Sequence, residues 1–465
     1  MFAESPSAIE QASPKSSPLR TLLTLAWPVV IARATQSVIG FSDAFLVAPL
    51  GEDALAAVTT SALNTMAFII LPMGTAFIVQ SFAAQLRGRG DLAAVDRYAY
   101  YGLMLAAAAG LFALLCTPFI PSLLRSFGYT PQVHSLMSQY LMIRLTSVAP
   151  AVGMEALGNW YGGLGETRPA MFAGLFAMVT NVAGAYLLIQ PHFGLPGYGV
   201  VGAAWVSSFA TWSAFCVLLL RFWRDRRKAA KKEPFTFRRA EFLRMLRFGV
   251  PNGVNWFLEF SAFVLFINLV VGHLGTTVLA AFNVVIQINS ISFMPAFGLS
   301  SAGAILVGEA IGRRAHDEVP PIVKLTAKLT CGFMGSIGLI YLLFSKQLMG
   351  LFVPRGADSG ELAAIGATML MLSAVWQLFD ALGLTLGEAL RGAGDTTWCM
   401  VVRIMLAWFV FTPLGWAAVI VYGGGVHAVI AAMVVYLGAL SVAFSLRFAS
   451  GRWRNIDLVG EPSVI

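Results

Sequence analysis

The sequence predicts an all-α membrane protein with twelve transmembrane helices in two pseudo-symmetric six-helix bundles. Composition, the length of its apolar segments and an internal repeat carry that expectation. Hydrophobic residues make up 58% of the 465 and charged residues only 12%, where soluble domains carry about 25% charged residues; the mean hydropathy is +0.75. Segments of the roughly 20 apolar residues needed to cross a hydrocarbon core about 30 Å thick recur between short polar breaks. Pro28, Leu50-Gly51, Leu55-Ala56-Ala57 and Pro72 are echoed at a nearly constant spacing by Pro251, Leu274-Gly275, Leu279-Ala280-Ala281 and Pro295. Further on, GLGETRPAM at 163–171 is echoed by GAGDTTWCM at 392–400. Two parallel copies of six spans are related by an axis along the membrane normal, which puts a substrate site between them.

Residues 1–19, rich in Ser and Pro, have no short apolar core before a small-residue cleavage site, so they read as a disordered cytoplasmic tail and not a signal peptide. The first lobe, 20–222, holds spans at 20–48, 56–84, 98–118, 134–157, 169–190 and 199–222. Span one carries Pro28, Gln36 and Asp43; span two follows the LGEDALAAV turn; span four contains Arg144; span five follows GLGETRPAM and holds Asn181; span six holds Ser207 and Ser208. A basic cytoplasmic linker covers 223–240. The second lobe, 241–449, holds spans at 246–272, 278–309, 322–345, 362–388, 399–421 and 426–449, and 450–465 form a cytoplasmic C-terminal tail.

The net charge of +8 does not indicate nucleic acid, because the basic residues are sorted by loop and not gathered on one soluble face. With the N-terminus inside, only Arg125, Lys346 and Arg355 fall outside and only Arg33 and Arg144 fall within spans. That is the positive-inside pattern, with both termini cytoplasmic. The remaining basic residues, Arg403 among them, are assigned to cytoplasmic segments or helix ends.

Several functions are excluded by absence of their motifs. His134, His192, His273, His316 and His427 are scattered, with no HExxH, no GxSxG and no phosphate loop. GYGVVG at 197–202 opens a membrane span and lacks the strand a dinucleotide site needs. Cys116, Cys216, Cys331 and Cys399 have no paired spacing and read as packing residues. Neither an enzyme nor a cofactor is expected. Small-residue pairs such as Gly158 with Gly162, and Gly308 with Gly312, read as close helix packing within a monomer.

Ionisable groups inside a span cost several kcal/mol unless they face protein or water, so intramembrane acids are functional candidates. Asp43, Glu259 and Asp380 stand out. Gln36 lies two turns before Asp43 on nearly the same helix face. Asn252, Asn255 and Glu259 form one polar stripe, and Asn283 and Gln287 follow at i, i+4 in span eight. Trp376 and Gln377 precede Asp380 by about a turn, with Trp376 placed to pack a flat organic cation, and Glu388 lies two turns beyond. The alternative for these acids is a purely structural pairing with Arg33 or Arg144. Asn181, Ser207 and Ser208 are equally suited to plain interhelical hydrogen bonds.

Pro28 with QSVIGFSD, the LGEDALAAV turn, the GLGETRPAM loop, FGVPNGVNWFLEF and QLFDALGLTLGEALRGAGD together resemble the multidrug and toxic compound extrusion (MATE) family, in its bacterial NorM-type branch, from Arg20 to Arg447. The resemblance implies a V-shaped pair of bundles in a bacterial inner membrane. It implies that they open alternately to each side and expel amphipathic organic cations in exchange for Na+ or H+. It makes Asp43 the first-lobe coupling acid, with Asn181 and Ser207 beside it, and Glu259 with Asp380 a second-lobe cation site for a sodium ion. Gln36, Asn255, Asn283, Gln287, Trp376 and Gln377 are the substrate-cavity candidates. Two departures bear on the ion: Ala185 stands where the family often has Asn or Asp, and Trp376 stands where sodium-linked relatives often have Tyr, an indole donor that cannot ligate sodium. A lipid-linked oligosaccharide flippase of the same superfamily needs a strongly cationic cavity, for which the spans offer only Arg33 and Arg144. A membrane-embedded enzyme or scaffold is motivated by scattered polar residues alone.

Overall fold

The computed structural model describes residues 17–191, 196–228, 235–352 and 359–460. The expected N-terminal tail as far as residue 16, the centre of the linker, His192, Arg355 and residues 461–465 lie outside them. Among the described residues every regular element is helical, as a lipid-embedded chain requires, because only internal pairing satisfies the backbone there.

Among the described residues eleven helices are long and apolar enough to span a bilayer, and one bent pair, taken as one span, makes a twelfth. In chain order they are α1 (Pro18–Leu50), α2 (Asp53–Arg89), α3 (Leu92–Arg125), α4 (Pro131–Leu145 with Val148–Gly163), α5 (Arg168–Leu188), α6 (Gly199–Arg227), α7 (Arg239–Leu274), α8 (Thr276–Gly312), α9 (His316–Leu351), α10 (Gly360–Ala393), α11 (Thr396–Val421) and α12 (Gly425–Ala449). Side-chain caps set several starts: Ser17 accepts from the Arg20 amide, Asp91 from that of Ala94 and Thr130 from that of Val133. Pro18 and Pro131, each just inside its helix, have no amide to leave unsatisfied.

Each helix overlaps its expected span, but two kinds of irregularity were not expected. The two pieces of α4 meet at 44°. There Thr146 and Ser147 donate their hydroxyls to the carbonyls of Ile143 and Arg144, at 2.6 and 2.7 Å, and so compete with the helix ladder. Widened π-helical turns interrupt α7 at Ile267–Val271 and α11 at Leu406–Phe411 and Ala417–Val421.

Helices α1–α6 and α7–α12 each close around their own apolar core, the second one built on Phe266, Phe282, Phe411 and Phe444. The lobes touch where α1 meets α8 and α2 meets α7 and α8. Glycine permits the approach: a Cβ at Gly253 would run into the Leu71 carbonyl, and one at Gly312 into that of Gln85. Gly308 packs on Ala84 in the same seam, inside one chain, as expected of that pair.

A polar latch reinforces the seam. Arg391, 3% exposed, pairs with Glu388 and donates to the Phe77 carbonyl, Ser81 Oγ and Gln80 Oε1 at 3.0–3.3 Å, with its guanidinium 4.1 Å from the Phe77 ring centroid. Gln85 Nε2 donates to the Gly392 carbonyl (2.9 Å), and Asn252 Nδ2 to that of Gly74 (2.7 Å). The segment after α12 joins the same end. Trp453 stacks on Phe448, Arg454 pairs with Asp317, and Leu458 is fully buried in the first-lobe cluster around Tyr98.

These contacts run from mid-helix, at Val30 with Gly298, to the end holding Arg89 and Arg313. Towards the opposite end, Phe41 and Ile291 lie on the same faces of α1 and α8 as the touching Val30 and Gly298, three and two turns further on, and are exposed. The molecule is a V, closed at the end where the chain starts and open at the other.

Candidate functional site

The first-lobe cluster is built from α1, α5 and α6. Asp43 lies in the half of α1 towards the open end and is half-buried. Ser207 Oγ on α6 donates to Asp43 Oδ2 (2.8 Å), and Asn181 Nδ2 on α5 donates to Ser207 Oγ (3.1 Å). Asn181 is fully buried, and Ser207 is 5% exposed. Asp43 Oδ1 and Asn181 Oδ1 are buried and receive no hydrogen bond. A buried acceptor without a donor is costly, so both oxygens are open to a donor or a small cation. The charge of Arg144 acts on Asp43, yet Arg144 Nε and Nη1 have no hydrogen-bond partner. The three residues the sequence nominates here are therefore one cluster, with open acceptors.

The second-lobe cluster is arranged differently. Glu259 on α7 receives Arg403 Nη1 at Oε2 (2.8 Å) and the Tyr436 hydroxyl at Oε1 (2.9 Å). Arg403 lies on α11, with its guanidinium 5.5 Å from the Phe444 ring centroid. Asp380, half-buried on α10, lies within electrostatic reach of both Glu259 and Arg403. Trp408 Nε1 donates to the Leu258 carbonyl (3.1 Å) and fixes α11 against α7 beside the pair. Arg403 is thus an intramembrane partner of Glu259, where charge counting by loop places it at a cytoplasmic end. With both Glu259 oxygens engaged, the expected sodium ligand pair of Glu259 and Asp380 retains only Asp380 as an unclaimed carboxylate. No group of three or more His, Cys, Asp or Glu suited to a metal occurs among the described residues.

The cavity candidates divide. Gln287 lies eleven residues, three turns, before Gly298, which packs against Val30 of the other lobe. Gln287 and Asn283 are exposed, so this face of α8 is a wall of the cleft. Gln36 is exposed on the face of α1 that bears Asp43. Asn255 is buried, with Oδ1 unpartnered. Trp376 is not a cavity residue: it is 4% exposed and belongs to the second-lobe core. Gln377 is likewise buried, donating to Asn289 Oδ1 (2.5 Å) and accepting from Ser292 (3.4 Å), which ties α10 to α8. Residue spacing places both near Asp380, but the helix turns their side chains into the lobe. A groove of about 690 Å³ beside Phe41, Phe45 and Val182 is apolar and holds none of the acids.

Besides Arg403 with Glu259, two further ion pairs were missed by sequence reasoning. Glu155 sits inside span four and binds Arg33 through both oxygens, at 2.7 and 3.2 Å, with Asn159 donating to it (2.8 Å). The rule that singled out the other three acids applies equally to Glu155. Arg33 therefore pairs with none of the three. Glu388 belongs to the interlobe latch with Arg391, and not to a cavity.

The MatE family profile matches residues 28–187 and 251–417, one segment in each lobe. The chain is similar to the Probable multidrug resistance protein NorM of Rhizobium meliloti (strain 1021), 28% identical over 434 residues and 92% of each chain. It is also similar to the Multidrug resistance protein PmpM of Pseudomonas aeruginosa, 27% identical over 405 residues, 86% of this chain and 83% of that one. A solved MOP superfamily transporter from Pyrococcus furiosus, whose binding pocket is described as of reverse polarity, shares the fold. Its TM-score is 0.87 at 20% identity, covering 96% of this chain and 100% of that one.

Proposed function

The chain belongs to the MatE family, and on that premise we propose that it is a secondary active multidrug exporter. It expels amphipathic organic cations across a bacterial inner membrane in exchange for Na+ or H+, carried as a co-substrate. The distribution of Lys and Arg supports a cytoplasmic side for both termini and for the closed end of the V, and on that orientation the conformation described is outward-facing.

The observation that carries the reading is the Asp43 cluster, a half-buried carboxylate with an open oxygen beside a second open acceptor, Asn181 Oδ1. When an ion from outside is bound there, the charge that α1 holds within the membrane is neutralised, which lowers the cost of rearranging the lobes. The drug-bound outward state is thereby disfavoured, and coupling is that difference in affinity. Gln36, Asn283 and Gln287 line the drug's path with neutral polar groups that do not repel a cation. The bonds from Arg391 across the seam to Phe77, Gln80 and Ser81 must part before the closed end can open. A flippase is less well supported, because Glu155 claims Arg33 and leaves Arg144 alone for a diphosphate.

Proteoliposomes with sodium and proton gradients imposed separately test the reading. Ethidium export driven by one gradient and lost in Asp43→Asn is the expected result. Full ion-driven export by Asp43→Asn would end it.

A further inference from the structure

Arg403 changes what the second-lobe carboxylates can do. Glu259, Asp380, Arg403 and Tyr436 come from four helices, α7, α10, α11 and α12. A guanidinium stays protonated at any physiological pH and cannot act as a ligand to a cation. It donates to Glu259 Oε2 at 2.8 Å, while Tyr436 occupies Oε1. The side chains of the pair are 19% and 32% exposed, so the bond is partly shielded from solvent. The arginine is held on three sides: by the carboxylate, by the Phe444 ring beneath its guanidinium, and through α11 by the Trp408 bond to Leu258. It directly follows from these positions that a sodium ion approaching Glu259 meets a fixed positive charge at hydrogen-bond distance from the oxygen it would ligate.

We propose that Arg403 is a tethered cation standing where a second-lobe coupling ion would otherwise bind, and that this residue excludes sodium from the Glu259–Asp380 site. The proposal rests on the ion-coupled exporter reading and sharpens it. In the second lobe this leaves Asp380 as a single unclaimed carboxylate, whereas at Asp43 two neighbouring acceptors, Asp43 Oδ1 and Asn181 Oδ1, are open together to a transported ion. Glu259 keeps a permanent counter-charge through the cycle. The widened turn that begins at Leu406, just past Arg403 on α11, is the kind of helix irregularity common at functional sites.

Binding of radiolabelled sodium to the purified full-length protein in detergent tests this without any transport step. The expected result is no wild-type sodium binding that Glu259→Gln removes. Arg403→Met should bind sodium at least about tenfold more tightly than wild type, and adding Glu259→Gln to that chain should remove the gain. Arg403→Lys, which keeps the charge, should gain none. Wild-type binding that Glu259→Gln abolishes would overturn the proposal, as would a monodisperse, cooperatively melting Arg403→Met that gains no sodium. If Arg403→Met does not fold, wild type against Glu259→Gln decides alone. Failure of ethidium export in proteoliposomes would count against the exporter reading and leave the binding result standing.

Discussion

The two lobes derive from one repeated plan, yet their carboxylate clusters are in opposite states. Asp43 receives one hydrogen bond from Ser207 and keeps an open, buried oxygen. Glu259 has both oxygens engaged, one by a permanent cation. A carboxylate with an open acceptor can gain and lose an ion with little rearrangement. A carboxylate in an ion pair first has to break a charge-assisted bond. The asymmetry teaches that fold symmetry does not carry chemical symmetry: one lobe presents a carboxylate with an open acceptor and the other a carboxylate in an ion pair.

The largest effect is expected at the open carboxylate, Asp43. Asp43→Asn should lower ion-driven ethidium export by about a hundredfold, near the top of the range for coupling between two sites. Equal loss in Glu259→Gln with Asp43→Asn unaffected would reverse the assignment of the lobes. Breaking the permanent pair should instead appear in stability. Arg403→Met leaves a carboxylate without its partner and should cost about 2–3 kcal/mol by thermal unfolding in detergent, less than the 3–5 kcal/mol of a fully buried pair because both side chains are partly exposed. Adding Glu259→Gln should restore most of the loss, and a double variant no more stable than the single one would show that the pair is not the cause.

The latch separates gating from ion binding. Arg391→Met should shorten the lifetime of the closed end of the V and weaken export severalfold under both gradients, without altering which ion drives it; spin-label distances between the lobes would read the change in population. Leu458→Asp, which places a charge in the first-lobe cluster, should shift the same spin-label distances in the same direction. The smallest effect is expected from Ser207→Ala. It removes one hydrogen bond to Asp43, worth about 1 kcal/mol, and should change apparent affinity for the coupling ion by about fivefold. A drop as large as that of Asp43→Asn would make the hydroxyl a direct ligand.

Asp43, Asn181 and Ser207 were legible as a group only through family resemblance, because they come from three helices far apart in the chain. Glu259 and Asp380 could be singled out as acids inside apolar runs, but their partners could not. Arg403 stands near the start of an apolar segment, where loop position and membrane interior look alike, and Tyr436 is one hydroxyl in a hydrophobic helix. Trp376 and Gln377 misled for a related reason: sequence spacing gives the turn of a helix but not which neighbours surround it. Glu155 was overlooked although its position in span four made it an intramembrane acid by the same criterion.

Apolar run length and the repeat by themselves determined twelve spans in two matching halves, since a bilayer leaves the backbone few ways to satisfy its hydrogen bonds. Caps and prolines set several of the helix starts for local reasons equally visible in the chain. Which charges neutralise one another, which amides bridge the lobes and which end of the V is closed were decided only by tertiary structure. Those outcomes depend on side chains from different helices meeting within hydrogen-bond distance, and no one-dimensional pattern encodes that distance.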